Sequence, residues 1–130
     1  MKIDHIAIYV ENLETTKEFF IKYFNAIANN LYHNPKTGLS TYFLSFEDNT
    51  RLEIMSRPNM IKTEFNLYRQ GFIHLSFSLG NKEKVNELTA RLKNDGYKIL
   101  SGPRTTGDGY YESCVLGPEN NILELVAWNY

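Results

Sequence analysis

The sequence predicts an α+β fold made of two tandem βαβββ modules. The first observation behind this prediction is a pair of strand patterns, "HIAIYV" at 5–10 and "HLSFSL" at 74–79, in which apolar residues alternate with others. The second is a helical pattern that follows each of these strands. His5 corresponds to His74 at an offset of 69 (74 − 5). A repeat of this kind indicates two copies of one supersecondary unit.

Each predicted helix has a start signal and an apolar stripe. Asn12 and Asn81 are the predicted N-caps, and Gly96 is the predicted stop of the second helix. The apolar residues recur at helical spacing, which we interpret as core packing. They are Phe19, Phe20, Tyr23, Phe24 and Ile27 in the first copy, and Val85, Leu88 and Leu92 in the second.

Three further strands complete each copy. The runs "NNLYH" and "TYFLSF" follow the first helix, and "YKILS" and "YYESCVL" follow the second. Tight turns at "EDN" and "PEN" then lead into "RLEIMS" at 51–56 and "ILELVA" at 122–127. Glu53 corresponds to Glu124 at an offset of 71 (124 − 53), so the second copy has two extra residues. We place them in the glycine-rich "TTGDGYY" at 105–111, interpreted as a flexible loop able to cover a cleft.

Length and composition predict one domain, residues 1–130, with modules at 1–57 and 72–130 joined by 58–71. Lysine plus arginine is 14 and aspartate plus glutamate is 15, so the formal net charge of −1 does not favour nucleic acid or an anionic membrane as a partner. No apolar run approaches the roughly 20 residues of a membrane-spanning helix. The single cysteine, Cys114, cannot form an internal disulfide, and we interpret it as a buried thiol in a cytoplasmic protein.

Four residues of metal-binding type fall at repeat-equivalent strand positions. The apolar face of each first strand is needed to cover the helix, which leaves His5 and His74 on the opposite face. The same reasoning separates Glu53 and Glu124 from the apolar face of each last strand. Taken singly, each is compatible with an ordinary solvated strand residue. If the first and last strands adjoin and the modules face each other, within one chain or across a dimer, the two imidazoles and two carboxylates suit a divalent ion such as Zn²⁺, Ni²⁺, Co²⁺, Fe²⁺ or Mn²⁺.

The stretches "DHIAIYVENLETTKEFF", "RLEIMSRP", "GFIHLSFSL" and "GPRTTGDGYYESCVLGPENNILELVA" carry a resemblance that covers essentially the whole chain. They resemble the glyoxalase I / bleomycin resistance / extradiol dioxygenase group, the vicinal oxygen chelate superfamily. The resemblance implies paired modules that form an open, barrel-like sheet with a metal cleft. It also implies a ligand set of His5, Glu53, His74 and Glu124. That pattern is most similar to bacterial glyoxalase I, which implies Ni²⁺, Co²⁺ or Zn²⁺ as the cofactor.

The same resemblance implies an activity. It is that of a lactoylglutathione-lyase-like lyase or isomerase. Such an enzyme removes a proton from the carbon next to a carbonyl, and the metal chelates the enediolate that results. Glu124 is implied as the catalytic base, with Glu53 open as the alternative. A small-molecule substrate, a homodimer and a cytoplasmic location are implied as well. Two alternatives stay open: a non-catalytic drug- or metabolite-binding protein of the bleomycin-resistance kind, and a metal-dependent thiol transferase or dioxygenase.

Candidate substrate-binding residues surround the predicted ligands. Relatives that use glutathione carry a basic residue four positions after the first ligand histidine and an asparagine four positions after the first ligand glutamate. Tyr9 and Arg57 hold these positions here, so the glutathione clamp is not reproduced. Arg57, Arg104 and Tyr110 are candidates for binding a substrate carboxylate or phosphate. Trp128 continues the face of Glu124 and is a candidate for lining the pocket or a dimer interface.

Overall fold

A computed structural model describes residues 1–127 of the chain, so Trp128 and the role predicted for it lie outside the described residues. The chain divides into two compact units, Met1–Thr63 and Glu64–Tyr130, and the division falls within the predicted joining segment 58–71. Within residues 1–127 each unit contains one α-helix and one sheet, and a short 3-10 helix, Pro118–Asn120, precedes the last strand of the second unit; this confirms the α+β class and the two βαβββ modules. That both modules belong to one domain stays a prediction.

The first unit contains a sheet with strand order β1-β5-β4-β2, in which the short β3 also pairs with β4. Its first and last strands, β1 and β5, lie side by side and run parallel. The predicted second strand, residues 29–33, is shortened to β3, and a further short strand, β2, lies before it. The elements are β1 (Ile6–Tyr9), α1 (Leu13–Phe24), β2 (Ile27–Ala28), β3 (Tyr32–His33), β4 (Ser40–Ser45) and β5 (Arg51–Ser56).

The second unit has the same plan with an unbroken second strand. Its strand order is β6-β9-β8-β7, and the first and last strands again pair in parallel. The elements are β6 (His74–Ser78), α2 (Lys82–Asn94), β7 (Lys98–Thr105), β8 (Tyr111–Leu116) and β9 (Ile122–Ala127). In both units the adjacency of first and last strands satisfies one of the two conditions for a shared cluster of histidine and glutamate.

The predicted caps of both helices are confirmed. The Asn12 side chain accepts a hydrogen bond from the backbone N–H of Thr15, and the Asn81 side chain accepts one from the backbone N–H of Lys84, each at 2.9 Å. The first helix ends earlier than predicted, because Asn25 adopts the left-handed conformation with φ 53°. Ile27 is therefore not part of the helical stripe; it begins β2 and is 74% exposed. Within residues 1–127, neither helix has the length to cross a membrane.

The two extra residues of the second copy do not lie in the glycine-rich segment, so that placement is wrong. The N-caps Asn12 and Asn81 correspond at an offset of 69 (81 − 12), but Ile27 and Lys98, which begin β2 and β7, already correspond at 71 (98 − 27). The insertion therefore lies in the helix and its exit. The second helix has 13 residues against 12, and the connection to the next strand is also one residue longer.

Backbone conformation explains where the helix ends and the glycine-rich segment turns. Gly96 takes φ 94°, and the N–H of Tyr97 bonds to the carbonyl of Leu92 at 3.0 Å, as in a Schellman stop. The glycine-rich segment is a hairpin turn between β7 and β8. Its ends are joined by a hydrogen bond from Thr106 N–H to the Tyr110 carbonyl at 2.8 Å. It is an internally hydrogen-bonded turn, and its ability to cover a cleft stays a prediction.

The core of each unit lies between its helix and one face of its sheet, as the alternation predicted. Helix α1 packs on β4 and β5, and α2 packs on β7, β8 and β9. The opposite sheet face carries the predicted metal-binding residues, with apolar residues such as Ala7 and Phe43 among them. The buried side chains are Phe19, Phe20, Tyr23, Leu44, Leu52 and Ile54 in the first unit, and Val85, Leu92, Val115, Leu123 and Leu125 in the second.

Candidate metal centre

The parallel pair β1 and β5 brings His5 and Glu53 together in the first unit. Ala7 lies directly opposite Glu53, and His5 precedes Ala7 by two residues, so both side chains project from the same face of the sheet. His5 Nε2 lies 3.6 Å from Glu53 Oε2. The strand register therefore places one imidazole and one carboxylate side by side on the face away from the helix.

The second unit repeats this arrangement with β6 and β9. Ser76 lies opposite Glu124, and His74 precedes Ser76 by two residues. His74 Nε2 lies 3.5 Å from Glu124 Oε2. The exposed fractions also match, because the histidines are 38% and 35% exposed and the glutamates 15% and 16%. Two sets of residues from one repeat thus form two equivalent histidine–glutamate pairs, each accessible from solvent at the imidazole.

In the first pair, the histidine is hydrogen-bonded to a further carboxylate, that of Asp4. His5 Nδ1 lies 2.7 Å from Asp4 Oδ2, and Arg51 Nη2 donates to the same oxygen at 2.6 Å. The hydrogen bond with His5, followed by the charge of Arg51, lowers the pKa of the Asp4 carboxyl from its usual 3.8. A histidine whose Nδ1–H donates to a carboxylate presents the Nε2 lone pair outward, which is the arrangement usual for metal-binding imidazoles.

In the second pair, the glutamate and not the histidine receives the additional hydrogen bond. Ser76 Oγ donates to Glu124 Oε1 at 2.6 Å, while Oε2 of the same carboxylate faces His74. In the first unit the corresponding position is Ala7, which has no hydroxyl to offer Glu53. Phe43 lies opposite Glu53 and packs edge-on against His5, with ring centroids 5.3 Å apart. The carboxylate of Glu124 is therefore more tightly oriented than that of Glu53.

Two further donor groups adjoin Glu124, and the sequence-based reasoning missed them. Cys114 lies opposite Glu124 in the β8–β9 ladder, and Glu112 is two residues away on the same face. One ligand atom from each of the three residues lies within 4.8 Å of the others. Cys114 is half-buried on the sheet face of Glu124, which corrects the expectation of a buried thiol. The sequence could have indicated this proximity through the alternation of "YYESCVL" and the tight turn that pairs this strand with "ILELVA".

Burial affects the ionisation of both added groups. Desolvation, with the neighbouring Glu124 as the next cause, raises the pKa of the Glu112 carboxyl above its usual 4.5. Desolvation also raises the pKa of the Cys114 thiol, against a smaller lowering effect of a hydrogen bond with Ser101. Two carboxylates in such proximity repel each other, and a bound cation would relieve the repulsion.

The predicted substrate-binding residues are distributed unevenly. Tyr9 shares the face of Glu53 and is 54% exposed. Arg104, in β7, is exposed and has its Nη2 atom 3.9 Å from Glu112 Oε1, which places it beside the Glu124 cluster. Tyr110 is half-buried at the end of the hairpin turn, and Arg57 is exposed just after β5. Contacts of these four residues with a substrate stay predictions.

The donor set fits a divalent metal. Each unit contains an imidazole nitrogen and a carboxylate oxygen side by side, the ligand types shared by Zn²⁺, Ni²⁺, Co²⁺ and Mn²⁺ sites. Both pairs lie on the sheet faces away from the helices, and their outer hydrogen bonds, to Asp4 in the first pair and from Ser76 in the second, are of the kind that orients metal ligands. The assignment of His5, Glu53, His74 and Glu124 as ligands stays a prediction.

Comparison with known proteins gives consistent relatives. An uncharacterised protein of Bacillus subtilis, YqjT, is 28% identical over 127 residues, which cover 95% of this chain and 96% of that protein. A glyoxalase/bleomycin resistance protein/dioxygenase domain from Frankia sp. EAN1pec has a similar fold, with a TM-score of 0.82 at 16% identity over 99% of this chain and 98% of that one. The fosfomycin resistance protein FosX from Listeria monocytogenes, in complex with Mn(II) and sulfate, has a TM-score of 0.72 at 20% identity over 98% and 93%.

At these identities the solved structures establish the fold, and the family profile establishes the membership. The profile described as Glyoxalase/Bleomycin resistance protein/Dioxygenase superfamily matches residues 2–125, nearly the entire chain. The match includes both histidine–glutamate pairs. The chain therefore belongs to the glyoxalase/bleomycin resistance/dioxygenase superfamily, which confirms the resemblance.

Proposed function

We propose that this protein is a divalent-metal-dependent lyase or isomerase that removes a proton next to a carbonyl group. The observation that carries the proposal is the equivalence of the two histidine–glutamate pairs, at 3.6 and 3.5 Å. A purely structural role for these residues does not require the repeat to preserve this spacing on a polar, accessible face. The superfamily includes metal-dependent enzymes, and the FosX relative is a Mn(II) complex, which supports a metal in this fold.

The metal would be held by His5, Glu53, His74 and Glu124, with Ni²⁺, Co²⁺ or Zn²⁺ as the expected ions. When bound, it supplies a Lewis acid that stabilises negative charge developing on substrate oxygens. The two carboxylates balance the charge of one dication. A single shared ion predicts one metal per chain.

The proton transfer is assigned to a glutamate carboxylate. A carboxylate takes the proton from the carbon next to the carbonyl and returns it to the neighbouring carbon, so no net proton is lost. The family resemblance favours Glu124 as this base. The hydrogen bonds favour Glu53 instead, because Ser76 orients Glu124 and the facing Ala7 leaves Glu53 without such a donor. The variants Glu124→Gln and Glu53→Gln distinguish the two assignments.

The substrate is expected to be a small molecule with an anionic group. Arg104 and Arg57 offer guanidinium groups that match a carboxylate or phosphate, with Tyr9 and Tyr110 as further contacts. Tyr9 and Arg57 replace the residues that relatives use for glutathione, so a different thiol or no thiol is expected. A homodimer is expected from the resemblance, with two-fold symmetry as the usual form.

Metal analysis is the first test. Protein purified without chelators is analysed for bound metal, then stripped and titrated with Ni²⁺, Co²⁺, Zn²⁺ and Mn²⁺ by calorimetry. The proposal expects one ion per chain and a large loss of affinity in His5→Ala and His74→Ala. Two independent ions per chain contradict the shared site, and no stoichiometric binding leaves the non-catalytic binding protein as the better reading.

Turnover is the second test. Loaded protein is assayed on α-keto-aldehyde hemithioacetals made with several thiols, under defined Ni²⁺, Co²⁺ and Zn²⁺. Glu124→Gln and Glu53→Gln are compared in metal-saturated form, and circular dichroism verifies that each variant is folded. The variant that lacks the base loses turnover, and the other loses mainly metal affinity. Full activity in both variants contradicts proton abstraction by a glutamate.

A further inference from the structure

An open cavity of about 540 Å³ lies between helix α2 and the edge strand β7 of the second unit. On the helix side it is lined by Asn86, Ala90 and Lys93, whose spacing of four and three residues places them on one helix face. Ile99 and Pro103 line it from β7. Small-molecule sites commonly have volumes of roughly 300–1,000 Å³. This α2–β7 cavity is therefore large enough for a small organic molecule.

The α2–β7 cavity lies on the helix side of the sheet, away from the histidine–glutamate pair of this unit. Thr89, which also lines it, shares a hydrogen bond of 2.6 Å with the Ser113 hydroxyl. Ser113 pairs with Leu125, one position away from Glu124 in the same ladder, so its side chain projects from the opposite sheet face. A ligand in the cavity would not contact Glu124, because the sheet lies between them.

Strand β7 is bulged where it forms the cavity wall, and a glycine makes the bulge possible. Residues 99–104 of β7 pair with residues 112–115 of β8, so β7 uses five steps (104 − 99) where β8 uses three (115 − 112). Gly102, within the bulge, has φ 78°. A Cβ atom there would lie 2.9 Å from Ser113 Cα and closer still to a backbone carbonyl oxygen of β8. Only glycine fits this position, so the sequence itself determines the shape of the wall.

The two nitrogen-bearing side chains at the cavity are hydrogen-bond donors. The Tyr111 hydroxyl donates to Asn86 Oδ1 at 2.6 Å, which leaves the amide nitrogen of Asn86 for a ligand. Lys93 has donors only, and among the described residues it forms no ion pair. No acidic residue within residues 1–127 lines the cavity, while Ala90 and Ile99 give it apolar surface. This lining suits a ligand with an apolar body and one anionic end.

We propose that the α2–β7 cavity binds a small carboxylate with an apolar body. Lys93 and Asn86 hold the carboxylate, and Ala90, Ile99 and Pro103 contact the apolar part. The site is separate from the proposed metal centre and does not depend on a bound metal. It gives the second unit a binding function of its own.

The test uses naphthoate as the probe and naphthamide, which has the same rings without the charge, as its neutral match. Each is titrated into the isotope-labelled full chain and followed by two-dimensional NMR. Naphthoate is expected to cause saturable shifts at the backbone N–H groups of Asn86, Ala90, Lys93 and Gly102. Naphthamide is expected to bind about tenfold more weakly, the loss for a hydrogen bond to a charged group.

Matched variants identify the residues that hold the probe. Lys93→Gln is expected to weaken naphthoate binding by about tenfold and to leave naphthamide binding unchanged. Lys84→Gln removes the same charge from an exposed position of α2 outside the cavity, and it is expected to bind like the parent. Ala90→Phe fills the cavity and is expected to lose binding of both probes.

Three results overturn the proposal. They are the absence of saturable shifts, shifts confined to strands β1, β5, β6 and β9, and equal naphthoate affinity in Lys93→Gln and the parent. None of them affects the proposed metal centre, which is tested by metal titration. Failure of that titration would in turn leave naphthoate binding at the α2–β7 cavity intact.

Discussion

Ser76 Oγ donates a hydrogen bond of 2.6 Å to Glu124 Oε1, and the matching residue opposite Glu53 is Ala7. The two halves of the repeat thus present the same histidine–glutamate pair with different supports. In the first unit the histidine is fixed through Asp4, and in the second the glutamate is fixed through Ser76. This asymmetry makes the contributions of the two halves experimentally separable.

Ser76→Ala is expected to weaken metal binding by about 10- to 100-fold, the range for loss of an outer hydrogen bond to a metal ligand. The physical reason is that the Glu124 carboxylate loses the donor that orients it. Calorimetric titration with Zn²⁺ and Ni²⁺ measures the change. Ser78→Ala, two residues further along the strand, serves as the control and is expected to bind like the parent. Equal affinities in all three proteins would show that the hydrogen bond does not orient a ligand.

Asp4→Asn is expected to weaken metal binding by the His5–Glu53 pair and to reduce the loss of folding stability at low pH. The pKa of Asp4 is lowered in the folded state, so its contribution to stability is present above the usual 3.8 and is lost as the pH falls through the folded value. Urea unfolding at a series of pH values from about 2 to 6 measures this loss of stability. The control is Asp48→Asn, since Thr50 lowers the pKa of Asp48 in a hairpin turn outside the cluster. A metal affinity that falls equally in both variants contradicts a specific role for Asp4.

Glu112→Gln is expected to stabilise the metal-free protein near neutral pH. The pKa of Glu112 is raised in the folded state, so the folded chain holds the proton to higher pH than the unfolded chain does. The stability of the parent therefore falls as the pH rises from 4.5 through the folded value, and the glutamine variant lacks this part of the dependence. Thermal unfolding across this range measures it, with the exposed Glu47→Gln as the control. An unchanged profile would show that burial and the neighbouring Glu124 do not raise the pKa of Glu112 in the folded chain.

Asn12→Ala and Asn81→Ala are each expected to lower the free energy of unfolding by about 1 kcal/mol, the usual value for loss of an N-cap. Each asparagine accepts a backbone hydrogen bond at 2.9 Å from the first turn of its helix. Urea denaturation gives the two differences. Glu87→Ala, an exposed position within α2, is the control and is expected to change stability by less than about 0.5 kcal/mol. Similar losses at both caps would confirm that the repeat extends to the energetics of the helices.

Local pattern was sufficient to predict the two modules and the faces of their strands. Alternation has a period of two residues, and it separates His5 from Ile6 whatever the strand's neighbour. Helix caps are equally local, because Asn12 and Asn81 bond within their own first turns. For these features the chemistry of a short segment determines its structure, and the second copy of the repeat shows the same alternation and the same helix cap independently.

Other features depended on how distant segments pair. Cys114 faces Glu124 only through the register of β8 on β9, and Ser76 reaches the same carboxylate only through the parallel pairing of β6 with β9. The end of α1 at Asn25 and the longer exit of α2 likewise placed the two extra residues where composition did not indicate them. The sequence alone determined, through local periodicity, the strand faces on which the histidines and glutamates lie, and the pairing of first and last strands brings them together as pairs. The tertiary structure decided which groups support them, because hydrogen bonds across strands depend on register rather than on spacing along the chain.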